Sequence, residues 1–105
     1  MTNILKKLNL ILEDRKNKNA EESYISSLYK KGLDHTCYKV EEETDELINA
    51  LKNENNDRVV SEAADLWFHS LVALSMKNLS SDDILIELEK RFGISGHKEK
   101  NNRNP

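Results

Sequence analysis

Apolar residues recur at helical spacing along nearly the whole chain, and short polar stretches mark where each run stops. Ile4, Leu5, Leu8, Ile11 and Leu12 predict a helix over 2–15 with Thr2 as its cap, and Asn17-Lys18-Asn19 reads as the loop behind it. Ser23 can cap a short helix through Ile25, Leu28 and Tyr29, which Gly32 stops. A helix over 34–52, capped by Asp34, gathers Cys37, Val40, Leu47, Ile48 and Leu51 on one face with Thr44 among them. After the polar turn Asn53-Glu54-Asn55-Asn56, Asp57 can cap a further helix that ends near Asn78. Ser80-Ser81-Asp82-Asp83 opens the last helix with a capping-box-like pattern, and Ile84, Leu85, Leu88 and Phe92 form its apolar stripe up to Gly93. The sequence carries no strand-like alternation, glycine-rich phosphate loop or internal repeat. The pattern predicts an all-α helical bundle.

One segment breaks the amphipathic rule. Over 58–76, Val60, Leu66, Trp67, Phe68, Leu71, Val72 and Leu74 point in almost all directions, which is how a helix surrounded by protein reads. Yet Glu62, Asp65 and His69 share one stripe of it, at i, i+3 and i+7. A buried unpaired carboxylate costs several kcal/mol, so such groups are neutralised, paired with a cation or bound to a metal. A second acidic cluster, Glu42, Glu43 and Glu46, lies beside the apolar face of the preceding helix, with Lys39 in the same sector.

If the two helices pack antiparallel across the Asn53–Asn56 turn, both clusters face one cleft. Like charges ~4 Å apart repel by roughly 1 kcal/mol in water and about 4 kcal/mol at an effective dielectric near 20, so the clusters need a shared cation. Such an oxygen-rich set suits Mg2+, with Mn2+ able to substitute. A calcium-hand loop is missing, and the lone Cys37 has no Cys or His at zinc-ligand spacing. Taken alone, the cluster of Glu42, Glu43 and Glu46 reads as a solvated helix face; the acids in the apolar helix turn it into a candidate site. Lys39 is read either as an ion-pair partner of these glutamates or as a phosphate contact, and His69 as a group that hydrogen-bonds near Asp65 rather than a metal ligand.

At 105 residues the chain reads as one domain, and with 37% hydrophobic residues it has little to cover a helix apolar on every side, so a homodimer is expected. A net charge of -3 gives no general nucleic-acid footprint. The apolar segment is too short and too polar at its start for an unaided membrane span. Cys37 falls on an apolar face and is expected in the core, and one cysteine suits a reducing compartment. Together with an N-terminus unlike a signal peptide, this gives a cytoplasmic expectation.

Ser23-Tyr24 with Leu28, Lys31-Gly32-x-Asp34, Lys39-Val40-x-Glu42-Glu43-x-x-Glu46, Glu62-Ala63-Ala64-Asp65-Leu66-x-Phe68-His69 and Ser95-Gly96-x-x-Glu99-Lys100-x-x-Arg103 occur in that order. This set resembles the phosphoribosyl-ATP pyrophosphohydrolase family, a branch of the MazG-like all-α nucleotide pyrophosphohydrolases. The chain departs from the family pattern at Glu41, where a small residue is usual, at Thr44-Asp45 and at Trp67. The resemblance implies Mg2+-assisted hydrolysis of 1-(5-phosphoribosyl)-ATP to 1-(5-phosphoribosyl)-AMP and pyrophosphate, the second step of histidine biosynthesis. It implies Glu42, Glu43, Glu46, Glu62 and Asp65 as the metal-ligand pool, with Glu43 and Glu46 also as catalytic candidates. Lys39, Lys98, Lys100 and Arg103 become candidate contacts for the nucleotide substrate. The expected organisation is a single domain over 1–105, with a core about 23–93, a polar basic tail over 94–105 and no fused cyclohydrolase domain. A general housekeeping nucleoside triphosphate pyrophosphohydrolase is the alternative enzyme, and a non-enzymatic helical dimerisation module the alternative outside enzymes.

Overall fold

A computed structural model describes residues 3–93, which form five α-helices and one short 3-10 turn with no strand among them. They are α1 (Ile4–Arg15), the 3-10 turn (Ala20–Glu22), α2 (Tyr24–Lys31), α3 (Leu33–Asn53), α4 (Asn56–Met76) and α5 (Ser81–Phe92). The helix-length runs of apolar spacing thus appear as an all-α bundle. Its longest members, α3 and α4, pair as an antiparallel hairpin around a two-residue turn, Glu54-Asn55.

Local chemistry sets the boundaries. The Ser23 hydroxyl accepts from the Ser26 amide at 3.0 Å and starts α2. Ser80 and Asp83 complete a reciprocal capping box at α5, satisfying two otherwise orphaned donors. Gly32, at φ +94°, ends α2 and leads straight into α3, a backbone conformation that side chains with a Cβ rarely adopt. This direct passage is why Asp34, expected as a cap, sits in the first turn of α3 instead. Asp57 is likewise in the first turn of α4, because the Asn55 side chain already accepts from the Arg58 amide at 3.0 Å. Asn78, at φ +61°, closes α4 while the Leu79 amide bonds back to the Leu74 carbonyl at 3.0 Å. Thr2 lies outside the described residues, and Asn3 precedes α1 without a side-chain cap bond.

The core joins Leu12 of α1, Leu28 of α2 and Leu71 and Val72 of α4, with Leu8, Ile25, Tyr29 and Phe68 packed around them. Each fully buried leucine contributes about 1.5–3 kcal/mol. Polar ties fix the packing: the Ser26 hydroxyl donates to the Arg15 carbonyl, Tyr29 bonds Ser75, and Ser81 bonds Asn9. Burial pushes the Tyr29 phenol above its usual range, partly opposed by its bond to Ser75.

Two expectations change. Within one chain α4 is not surrounded: its later half is covered by α1 and α2, whereas Val60 and Trp67 are 68% and 65% exposed. Cys37 is exposed rather than in the core, because α3 buries Thr36, Glu43 and Ala50, a line at i, i+7 and i+14, and so turns Cys37, Ile48 and Leu51 outward. No described helix is long and apolar enough to cross a membrane.

Candidate active site

The buried line of α3 carries an acid at its middle, and the facing stretch of α4 carries two more. Glu43 and Glu62 are only 7% and 5% exposed, while Asp65 is open to solvent. One carboxylate oxygen from each of the three lies within 4.8 Å of the others. Oε2 of Glu43 and Oε2 of Glu62 are buried without a hydrogen-bond partner. Leaving such groups unsatisfied costs more than a bond gains, so this arrangement calls for something bound. Converging hard oxygens, with no sulfur or imidazole among them, fit an oxygen-seeking divalent cation rather than zinc.

The electrostatics agree. Burial pushes the Glu62 carboxyl above the usual glutamate range and the neighbouring Glu46 carboxylate pushes it further; Arg58 opposes the shift and Asp65 adds to it. Arg58 meets Oε1 of Glu62 through Nη2 and Oε1 of Glu54 through Nε at 3.3 Å. A hollow of about 310 Å³ opens beside this pair, lined by Asp45, Glu46, Asn49, Glu54, Arg58 and Glu62.

Glu42 is set apart from the converging trio, because the Lys39 ammonium donates to its Oε1 at 2.6 Å. That bond holds the Lys39 pKa above its usual value against the opposing effect of burial, with smaller contributions from the charges of Glu42, Tyr24 and Glu43. His69 is buried and engaged at both ring nitrogens: Nδ1 lies 2.8 Å from the Asp65 backbone carbonyl and Nε2 lies 2.9 Å from the Tyr24 hydroxyl. A carbonyl only accepts, so Nδ1 carries the proton, and in the neutral ring Nε2 accepts from Tyr24. The expected contact near Asp65 is therefore to its backbone. Tyr24 also stacks on Phe68, with ring centroids 6.4 Å apart.

Glu43, Glu62 and Asp65 converge, Glu46 stands beside Glu62, and Lys39 is paired with Glu42. Lys98, Lys100 and Arg103 lie outside the described residues. Two further residues join this neighbourhood, Arg58 and Tyr24. The sequence signal for Arg58 is its i, i+4 spacing to Glu62. Tyr24 has no such local signal, since its bond to His69 is made between helices.

A sequence model described as phosphoribosyl-ATP pyrophosphohydrolase matches residues 5–92. The chain belongs to the phosphoribosyl-ATP pyrophosphohydrolase family. Named phosphoribosyl-ATP pyrophosphatases extend the likeness along the chain. That of Vesicomyosocius okutanii subsp. Calyptogena okutanii is 52% identical over 104 residues, spanning 99% of each chain. That of Hydrogenovibrio crunogenus is 54% identical over 104 residues, spanning 95% of this chain and 92% of its own. The Azoarcus sp. protein is 46% identical over 100 residues, spanning 95% and 94%. The family match takes in α1, which precedes the stretch where the motifs begin.

Proposed function

We propose that this family member hydrolyses 1-(5-phosphoribosyl)-ATP to 1-(5-phosphoribosyl)-AMP and pyrophosphate, the second step of histidine biosynthesis, using Mg2+ or, in its place, Mn2+. The observation that carries the metal reading is the pair of buried, unpartnered oxygens on Glu43 and Glu62 beside Asp65. The ion would be held from the pool Glu42, Glu43, Glu46, Glu62 and Asp65, with one of these carboxylates left free for the water. Bound there, the cation would offset the charge of the triphosphate and of the departing pyrophosphate.

The chain's own groups then have distinct tasks. Glu43, buried at the middle of α3, is the carboxylate assigned to orient the attacking water, and Glu46 beside Glu62 is the second candidate. The water oxygen bonds to the α-phosphorus, the bond from that phosphorus to the α–β bridging oxygen breaks, and pyrophosphate leaves. A water proton passes to the carboxylate. Lys39, Lys98, Lys100 and Arg103 are assigned to the phosphates, the last three as a clamp. The working form proposed is a cytoplasmic homodimer that takes a nucleotide rather than a nucleic acid or a membrane.

The test is pyrophosphate release from phosphoribosyl-ATP and from a panel of ordinary nucleoside triphosphates, with and without Mg2+. Strong preference for phosphoribosyl-ATP supports the assignment, and equal turnover across the panel would establish the housekeeping activity instead. Glu46→Gln is expected to abolish Mg2+-dependent release while leaving the helical circular-dichroism signal intact. Full activity in that variant removes Glu46 from the site.

A further inference from the structure

The buried acid at the heart of the site is held from outside by a string of polar contacts. Asn53 Nδ2 donates to Asn49 Oδ1 at 2.8 Å, and Asn49 Nδ2 donates to Glu54 Oε2 at 2.9 Å. Glu54 Oε1 in turn accepts from Arg58 Nε at 3.3 Å, and Arg58 Nη2 donates to Glu62 Oε1. The string runs from the last turns of α3, across the Glu54-Asn55 turn, to the second turn of α4. Arg58 and Glu62 lie at i and i+4 on one face of α4, and Glu54 reaches Arg58 from the turn just before the helix.

The two members of the string's last link differ sharply in environment. The Arg58 side chain is 55% exposed, whereas that of Glu62 is 6% exposed. A surface arginine ordinarily gains little from an ion pair, because water screens the charge and the long side chain loses freedom. Here the guanidinium is braced on its Nε side by Glu54, so less freedom is lost in meeting Glu62 through Nη2. Its Nη2 occupies Oε1 of Glu62 and leaves Oε2 without a partner.

We infer that Arg58 is a positioning residue for the cation site: braced by Glu54 and Asn49, it fixes the Glu62 carboxylate through Oε1 so that Oε2 serves as the metal ligand. This rests on the carboxylate site proposed above. Ligating carboxylates are generally oriented by hydrogen bonds from outside the ligand set, and losing such a partner costs about 10–100-fold in metal affinity. Removing the guanidinium frees the Glu62 side chain to turn and leaves it, beside the Glu46 carboxylate, without its neighbouring cation.

The test is calorimetric titration of the full-length protein with Mn2+ alone, at a temperature well below unfolding. Arg58→Gln is expected to weaken Mn2+ binding about tenfold or more, and Arg58→Lys to recover part of the loss because it restores the charge without the fork. Glu54→Gln, which weakens only the brace, should give a smaller loss. Arg91→Gln, which removes an exposed pair with Glu87 on α5, should leave Mn2+ binding unchanged. Glu62→Gln separates the two readings. If it abolishes Mn2+ binding while Arg58→Gln binds as tightly as the parent or more tightly, the role of Arg58 is overturned and the site stands. If Glu62→Gln also binds normally, the cation site fails and the Arg58 role fails with it.

Discussion

Glu62 is asked to stay ionised in a place that favours its neutral form, and this conflict has a measurable consequence. Burial and the nearby Glu46 raise its folded pKa above the ordinary glutamate value. An acid shifted upward favours the fold while protonated, so its contribution is complete below the unfolded pKa and is lost as pH rises through the folded one. The metal-free protein should therefore melt at progressively lower temperature across that window. Glu62→Gln should remove this component of the slope. Melting followed by circular dichroism in a chelator checks it, and an identical slope in parent and variant would contradict the account. The acids themselves were legible in the sequence, because Glu42-Glu43-x-x-Glu46 and Glu62-x-x-Asp65 reveal shared helix faces by spacing alone. Which of them converge was not. Glu42 is drawn to Lys39 one turn away, and Glu43 enters the trio because α3 buries the line through Thr36 and Ala50. Both facts depend on how α3 is rotated against α4.

At the scale of the element, local signals were read correctly where one side chain decides the outcome. Ser23 and Ser80 cap the helices they were expected to cap, since each reaches a backbone amide two or three residues ahead. Asp34 and Asp57 sit inside their helices because another local device, Gly32 in one case and Asn55 in the other, stands two residues before each. The rotation of α3 departs from its apolar pattern for a different reason. Its apolar residues suggest a buried stripe, but the helix buries a line of Thr36, Glu43 and Ala50, of which Glu43 joins the acidic trio. Two substitutions separate capping from packing. Ser80→Ala should lower stability by about 1 kcal/mol, the usual cost of losing a side-chain cap. Leu28→Ala, at a fully buried position shared by α1, α2 and α4, should cost about 2–5 kcal/mol through the cavity it leaves. Chemical denaturation of both variants tests the ranking, and an equal loss in the two would count against Leu28 as the centre of the core.

For the whole molecule the issue is what covers the back of α4. Trp67 follows Asp65 by two residues, about 200° round the helix, so the face carrying Trp67 is turned away from the acidic site. On that side Leu66, Trp67 and Leu74 of α4 and Ile84, Leu85 and Leu88 of α5 border an apolar groove of about 420 Å³. Ile86 and Phe92 of α5 are also exposed, at 67% and 44%. Contiguous apolar surface of this kind marks an interaction site. A symmetric pairing of two copies through this face would bury α4 on the side that one chain leaves open, which is the cover its all-round apolar sequence called for. The acids would stay accessible on the other side, so pairing and catalysis need not compete for surface. Sedimentation velocity should accordingly show two copies of the 12.1 kDa chain in the parent. Leu85→Lys, which sets a charge in the groove without touching the acids, should shift the population toward single chains and lower the melting temperature. Its Mn2+ affinity should stay unchanged, because the carboxylates proposed to hold the cation converge within the α3–α4 hairpin. A parent that sediments as a single chain would remove the dimer and leave the exposed Trp67 face without the partner assigned to it.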